Sequence, residues 1–132
     1  MENRFLCRGK RSDTGEWVEG FLVPFADDDK HRSWTIKKVD DIKKPSISQT
    51  VKVDPSTICQ CTGLVDKNGK LIFENDIVKD NVIYGVVKWD DTNAGYFIDD
   101  RDTGYQDYSE WWHEVEAVGN VFDNPELLEV QP

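Results

Sequence analysis

The chain has 132 residues, 38% of them hydrophobic and 32% charged, enough for one domain with a core of its own. Its net charge is −10, no apolar run approaches the roughly 20 residues of a membrane span, and the start Met1-Glu2-Asn3-Arg4-Phe5 lacks the basic-then-apolar order of a secretory signal. A cytoplasmic protein off the membrane is expected, and in that reducing compartment its three cysteines read as free thiols rather than a disulfide framework.

Short runs rich in Val, Ile, Thr and aromatics alternate with Gly, Asn-Gly, Asp-Pro and Thr-Gly punctuation, which predicts an all-β protein. Residues 4–8 (RFLCR) and 16–23 (EWVEGFLV) flank SDTG and predict a hairpin with Gly15 at positive φ. Residues 27–33 form a charged loop tip, and 34–39 a strand. Residues 40–45, Lys-rich and ending in Pro45, form a loop. Residues 49–53 alternate, with Val51 and Val53 on one side, until Asp54-Pro55 breaks the run. Residues 57–61 make a short strand. Leu64-Val65 and Leu71-Ile72-Phe73 then pair across Lys67-Asn68-Gly69, where Asn-Gly is the preferred dipeptide of a type I′ turn. A further run begins at Asp76-Ile77-Val78. NVIYGVVKWDD has apolar residues on both faces and so predicts a strand buried on both sides, with AGYFIDD as its hairpin partner. In WHEVEAVGNV, Val115, Ala117 and Val121 face one way and Glu114 and Glu116 the other, as in a half-buried strand. Asn124-Pro125-Glu126-Leu127-Leu128 predicts one helical turn, with Asn124 as N-cap and Pro125 at the first position. The series of short strands from about Thr57 to Phe122 suggests a small, strongly bent barrel.

Charge is uneven: residues 1–50 hold 10 Lys/Arg against 9 Asp/Glu, and residues 51–132 hold 6 against 17. An acidic half repels phosphate backbones, which disfavours nucleic acid, and it suits a basic protein partner. The Lys-rich stretch from Lys37 to Lys44 is the one segment that could form a local basic patch.

Four constellations bear on chemistry. Cys59 and Cys61 on one strand face stand about 7 Å apart, and with Cys7 and His31 or His113 they have the donor types of a zinc site. Cys-x-Cys alone is a weak motif, however, and buried thiols account for it equally well. DDTNAGYFIDD superficially resembles a calcium loop but places Tyr96 where the sharp turn demands Gly. A hairpin with acidic rims is expected instead. His113 beside Glu114 has acid–base groups, but neighbours on a strand point to opposite faces. No nucleophile triad, Gly-rich phosphate loop or HExxH is present. The aromatics Tyr105, Tyr108, Trp111 and Trp112 sit in the most acidic region. They serve as a protein-binding patch if exposed and as core if not.

Three blocks resemble the YopX family, small proteins carried by phages and prophages of bacteria. They are RGKRSDTGEWVEGFLV (8–23), DPSTICQCTGLVDKNGKLIFENDIVK (54–79) and VGNVFDNPELL (118–128), in the family's order and spread over nearly the whole chain. Against the family pattern, Cys61 stands for an aromatic, Cys59 for a Gly, Cys7 for a bulky apolar residue and Asn75 for the Gly of EGD. The resemblance therefore implies that the thiols fill apolar positions and that Asn75 takes a positive φ. It also implies a mainly β domain over 1–132, with an SH3-like barrel in 56–132, an additional β-rich portion in 1–55 and few helical turns. It brings no reaction, cofactor, metal or catalytic residue. The expected function is a non-enzymatic phage or prophage accessory protein that binds a host or phage protein and is able to self-associate through edge strands. The alternatives are a nucleic-acid-associated barrel, an acidic DNA mimic acting on a host DNA-binding protein, and an uncharacterised enzyme or metalloprotein.

Overall fold

A computed structural model describes residues 5–26, 32–38, 50–80, 83–100 and 106–129. It is mainly β, built of antiparallel strands, with 3-10 turns between some of them. Two compact units divide between Gln60 and Cys61, and each is described by itself. Among the described residues no helix is long and apolar enough to cross a membrane.

The first unit contains β1 (Cys7–Lys10), β2 (Trp17–Ala26), β3 (Arg32–Lys38) and β4 (Thr50–Lys52). They are ordered β4-β3-β2-β1, with Cys59 and Gln60 of β5 (Cys59–Val65) on the far side of β1. The β1–β2 hairpin closes through Arg11 N–H to Glu16 O (2.8 Å) and Gly15 N–H to Arg11 O (2.9 Å). Gly15 has the expected positive φ, 77°. Pro24 lies in β2 beyond residues 17–20, the part of that strand that β1 covers, where a residue without an N–H is tolerated. Gly20 has no alternative: a Cβ there would stand 1.9 Å from the Lys37 carbonyl oxygen of β3. The core of this unit is Val18, Ile36 and Val53, with Leu22 and Ile58 against it.

Two sequence expectations change here. Arg32 and Ser33 belong to β3, paired with Ala26 and Phe25, so the charged loop is shorter than 27–33; residues 27–31 and the 40–45 loop lie outside the described residues. Thr57 ends a 3-10 turn, Pro55–Thr57, instead of opening a strand. The cause is local. The Asp54 carboxylate accepts the Ser56 N–H (3.0 Å), and Thr57 Oγ1 donates to Asp54 O (2.7 Å) while accepting the Lys10 N–H (2.8 Å).

The second unit contains the rest of β5 and then β6 (Leu71–Phe73), β7 (Asp76–Asp80), β8 (Ile83–Asp90), β9 (Gly95–Asp100), β10 (Gln106–Tyr108) and β11 (Glu116–Asn120). The 3-10 turn Ser109–Glu114 precedes β11, and another, Pro125–Leu128, lies near the end of the described residues. The strand order is β10-β9-β8-β7-β11. These five strands form an antiparallel sheet in which, among the described residues, no ladder joins β10 to β11. The adjacent pairs Ile77-Val78, Val86-Val87 and Phe97-Ile98 are all buried, so the central strands are covered on both faces, as the sequence of β8 predicted. One face carries the core cluster Ile72, Val78, Val87, Ile98, Trp112 and Val115.

Candidate functional site

The segment from Cys59 to Lys79 is held together by its own polar groups. Cys59 and Cys61 are buried and Gln60 between them is exposed. The Cys59 thiol donates to Thr57 O (3.3 Å), and Cys61 Sγ accepts the Gly63 N–H (3.4 Å). The ladder between β5 and β6 pairs Cys61 with Phe73 and Val65 with Leu71, so three residues on one strand face one on the other. Thr62-Gly63-Leu64 is that bulge. Gly63 supplies the positive φ (85°). Thr62 Oγ1 donates to Ile72 O (2.8 Å) and accepts the Leu64 N–H (3.1 Å), replacing the missing ladder bonds.

The turn that follows is not type I′. Only Gly69 has positive φ (80°), whereas I′ needs it at both central residues. It is a type I turn closed by Gly69 N–H to Asp66 O (3.0 Å), with Gly69 as the left-handed residue of a bulge. Asp66 decides this. Its buried carboxylate accepts the N–H groups of Asn68 and Lys70 on Oδ1 and that of Ala117 on Oδ2, each at 2.9 Å. Burial alone pushes this carboxyl up, but the backbone donors Ala117, Lys70 and Asn68 and the Lys70 charge outweigh it, leaving it below the usual carboxylate range. Asp76, also buried, accepts the Phe73 N–H (2.8 Å) across the turn in which Asn75 takes φ 71°, as expected.

Near the C-terminus, Asn124 occupies the cap position but makes no side-chain bond into its turn. Its Oδ1 accepts the Asn120 N–H instead (3.2 Å) and lies over Gly119, where a Cβ would come within 2.6 Å of it. Asn120 Oδ1 accepts the N–H groups of Phe122 (3.0 Å) and Asp123 (2.9 Å). The Asn120 N–H thus takes the Asn124 side chain expected as a cap, beside the bulge of β11 between Ala117 and Gly119.

His113 and Glu114 lie on the 3-10 turn, not on a strand as expected. Both are exposed, and His113 Nε2 is 4.0 Å from Glu114 Oε1. Among the described residues no group of three or more His, Cys, Asp or Glu is placed to hold a metal ion; His31 lies outside them. The β8–β9 loop is a capped hairpin. Asp90 Oδ1 accepts the N–H groups of Thr92 (2.9 Å) and Asn93 (3.4 Å), Asp90 Oδ2 accepts Asn93 Nδ2–H (2.8 Å), and Ala94 takes φ 52°.

The four aromatics singled out from the sequence do not form one described patch. Trp112 is 1% exposed and packs in the core with Ile72, Val78, Val87, Ile98 and Val115. The 3-10 turn carries it inward, so of the two readings the sequence left open Trp112 is core, and it leaves the candidate interaction surface. Tyr105 lies outside the described residues, and for Tyr108 and Trp111 only the backbone is described.

Among the described residues the exposed aromatics are Phe5, Trp34 and Trp89, and Trp89, on the β8–β9 hairpin, is the one held beside a carboxylate. Trp89 is 44% exposed and directly opposite half-buried Tyr96. The rings meet edge to face, centroids 5.0 Å apart at 69°. The Trp89 indole N–H donates to Asp91 Oδ1 (2.6 Å), which fixes the ring beside a carboxylate. Lys88 pairs with Asp99 at 2.8 Å. Residues 88–100 hold Lys88 against Asp90, Asp91, Asp99 and Asp100. The sequence carried one usable signal, an aromatic at a strand end next to an acid-rich turn, beyond the reach of the core.

No curated protein matches this sequence. The family model described as YopX protein matches residues 7–129, which includes all eleven described strands. The chain belongs to the YopX family.

Proposed function

We infer that this protein is a non-enzymatic interaction module of a phage or prophage, and that its β8–β9 hairpin receives a basic segment of a host or phage protein. The observation that carries this is the Trp89–Tyr96 pair with Asp91 at the indole edge. An exposed tryptophan face next to a carboxylate suits an arginine side chain, which stacks on the ring and pairs with the acid. The acidic balance of residues 51–132 would steer such a partner inward. The polar side chains that are buried in this unit, Asp66 and Asp76 among them, accept backbone N–H groups, a structural task.

We also infer an SH3-like arrangement within residues 56–132. Supporting it are the meander β7-β8-β9-β10, the 3-10 turn after β10 and the return of β11 beside β7. That topology leaves hairpin tips for recognition while the strands form the frame.

Affinity capture from bacterial lysate tests the function, with Trp89→Ala as the paired bait. The expected result is a stoichiometric partner, released by salt and lost with the variant. Recovery of background alone from repeated captures refutes the reading. Recovery that is indifferent to Trp89 keeps an interaction but moves it off this surface.

A further inference from the structure

Asn68-Gly69 is the one Asn-Gly pair in the sequence, and both residues are exposed. Asparagine is chemically labile, and a following glycine leaves the approach to its side-chain amide open because it has no Cβ. Among the described residues nothing fills that space: a Cβ at Gly69 would meet none of their atoms within 4 Å. The reaction open to this pair is intramolecular. The Gly69 backbone nitrogen attacks Asn68 Cγ, and the new C–N bond closes a five-membered succinimide. The bond from Cγ to Nδ2 breaks, and the proton of the Gly69 nitrogen leaves with Nδ2 as ammonia. Water then opens the ring at either carbonyl, giving aspartate or isoaspartate at position 68. No oxidation state changes, and water is the only co-reactant.

The turn withholds the nucleophile. The Gly69 N–H is held by Asp66 O at 3.0 Å. The N–H groups on either side, those of Asn68 and Lys70, are both held by Asp66 Oδ1 at 2.9 Å. The Asp66 N–H closes the loop onto Lys70 O at 2.8 Å. To bring the Gly69 nitrogen onto Asn68 Cγ, the backbone must release this set together. Asp66 is anchored from outside the hairpin as well, since its Oδ2 accepts the Ala117 N–H of β11.

We propose that Asn68 is a latent isoaspartate-forming site, held unreactive by the Asp66 clamp, and that its modification loosens the hold of Asp66 on Ala117 of β11, while the Lys67 N–H still donates to Val115 O (2.9 Å). Isoaspartate adds one methylene to the backbone between the N–H groups of residues 68 and 70. One carboxylate oxygen then no longer spans both, and the clamp that also holds Ala117 loosens.

The test follows the peptide containing residue 68 by mass and by an isoaspartate-specific assay. Native protein and the same protein in urea are incubated side by side in mildly alkaline buffer. Four hydrogen bonds must be given up in the native turn, so native modification is expected to be slower on the order of a hundredfold. Folded Asp66→Ala should modify roughly tenfold faster than the native wild type. Hydrogen exchange at Ala117 should rise in protein enriched in the modified form. Equal rates with and without urea overturn the proposal, and so does a folded Asp66→Ala that modifies no faster. Should the variant not fold, the native-to-urea ratio decides alone.

Discussion

Replacing Asp66 with alanine removes one acceptor for three backbone N–H groups, and the structure says how unequal those losses are. Asn68 and Lys70 are exposed, so water takes over their donors at a cost of about 0.5 kcal/mol each. The Ala117 N–H is half-buried and loses a charged acceptor, which costs about 1–3 kcal/mol. The sum is about 2–4 kcal/mol, a large share of a typical stability of about 5–15 kcal/mol. In urea titration followed by tryptophan fluorescence the midpoint should fall by about 1–2 M with little change in slope. Asp66→Asn should lie between the two, since one carbonyl oxygen can keep the turn but its NH2 then meets the Ala117 N–H. The sign of the pH dependence follows from the depressed folded-state carboxyl. Its stabilisation is complete above the ordinary Asp value of about 3.9 and declines as pH falls from there. Below the lower folded-state value it is gone, so wild type and Asp66→Ala converge in acid. A variant within about 0.5 kcal/mol of wild type at neutral pH, or one that keeps the wild-type acid dependence, refutes the clamp.

Trp112→Ala should cost about 3–5 kcal/mol in the same titration, because the side chain is 1% exposed in the main cluster of its unit; a loss below about 1 kcal/mol means the residue is not core. Gly15→Ala and Gly20→Ala separate conformational from steric demand. The first meets open space at φ 77° and should cost about 1–2 kcal/mol. The second drives a Cβ against the Lys37 carbonyl and should cost more than the first, and the reverse order in thermal melts contradicts the β2–β3 register. Trp89→Ala should change stability by about 1 kcal/mol, the worth of its contact with Tyr96. The same change should weaken the captured partner by about 2 kcal/mol, roughly thirtyfold, by calorimetry. That affinity should also fall with added salt.

The strands were legible where local chemistry and the final packing ask for the same thing. Alternation and turn dipeptides located the β1–β2, β5–β6 and β8–β9 hairpins, the positive φ of Gly15 could be read from residue type, and that of Asn75 followed from the family resemblance. Sequence and structure part where a partner distant in sequence, or a local cap, overrides the motif. At Asn68 the Asp66 carboxylate spans the Asn68 and Lys70 N–H groups as a local cap and also reaches Ala117, 51 positions away. Asn124 is a good cap by composition, yet its side chain accepts the Asn120 N–H and lies over Gly119 instead. Thr57 and His113 both fall in 3-10 turns where alternation suggested strand. Whether a tryptophan is core or surface was the least legible of all. Trp112 and Trp89 both lie within two positions of acidic residues, and only the third dimension shows that one is turned inward while the other lies past the end of the packed cluster.

That division bears on where an activity can lie. In the three blocks that carry the family likeness, the polar residues are committed to the backbone: Thr62 to a bulge, Asp66 and Asp76 to turns, Asn120 and Asn124 to the loop after β11. A carboxylate that already accepts two or three N–H groups has little capacity left for a ligand, and replacing it unfolds the frame before it reports on function. Trp89, Asp91 and Tyr96 lie outside those blocks; Trp89 and Asp91 are exposed, while Tyr96 packs against the central cluster. The side chains of Trp89 and Asp91 can be exchanged without disturbing the turns that define the fold. Family membership is therefore written in residues that hold the fold, while the recognition proposed for it rests on a hairpin those residues merely support.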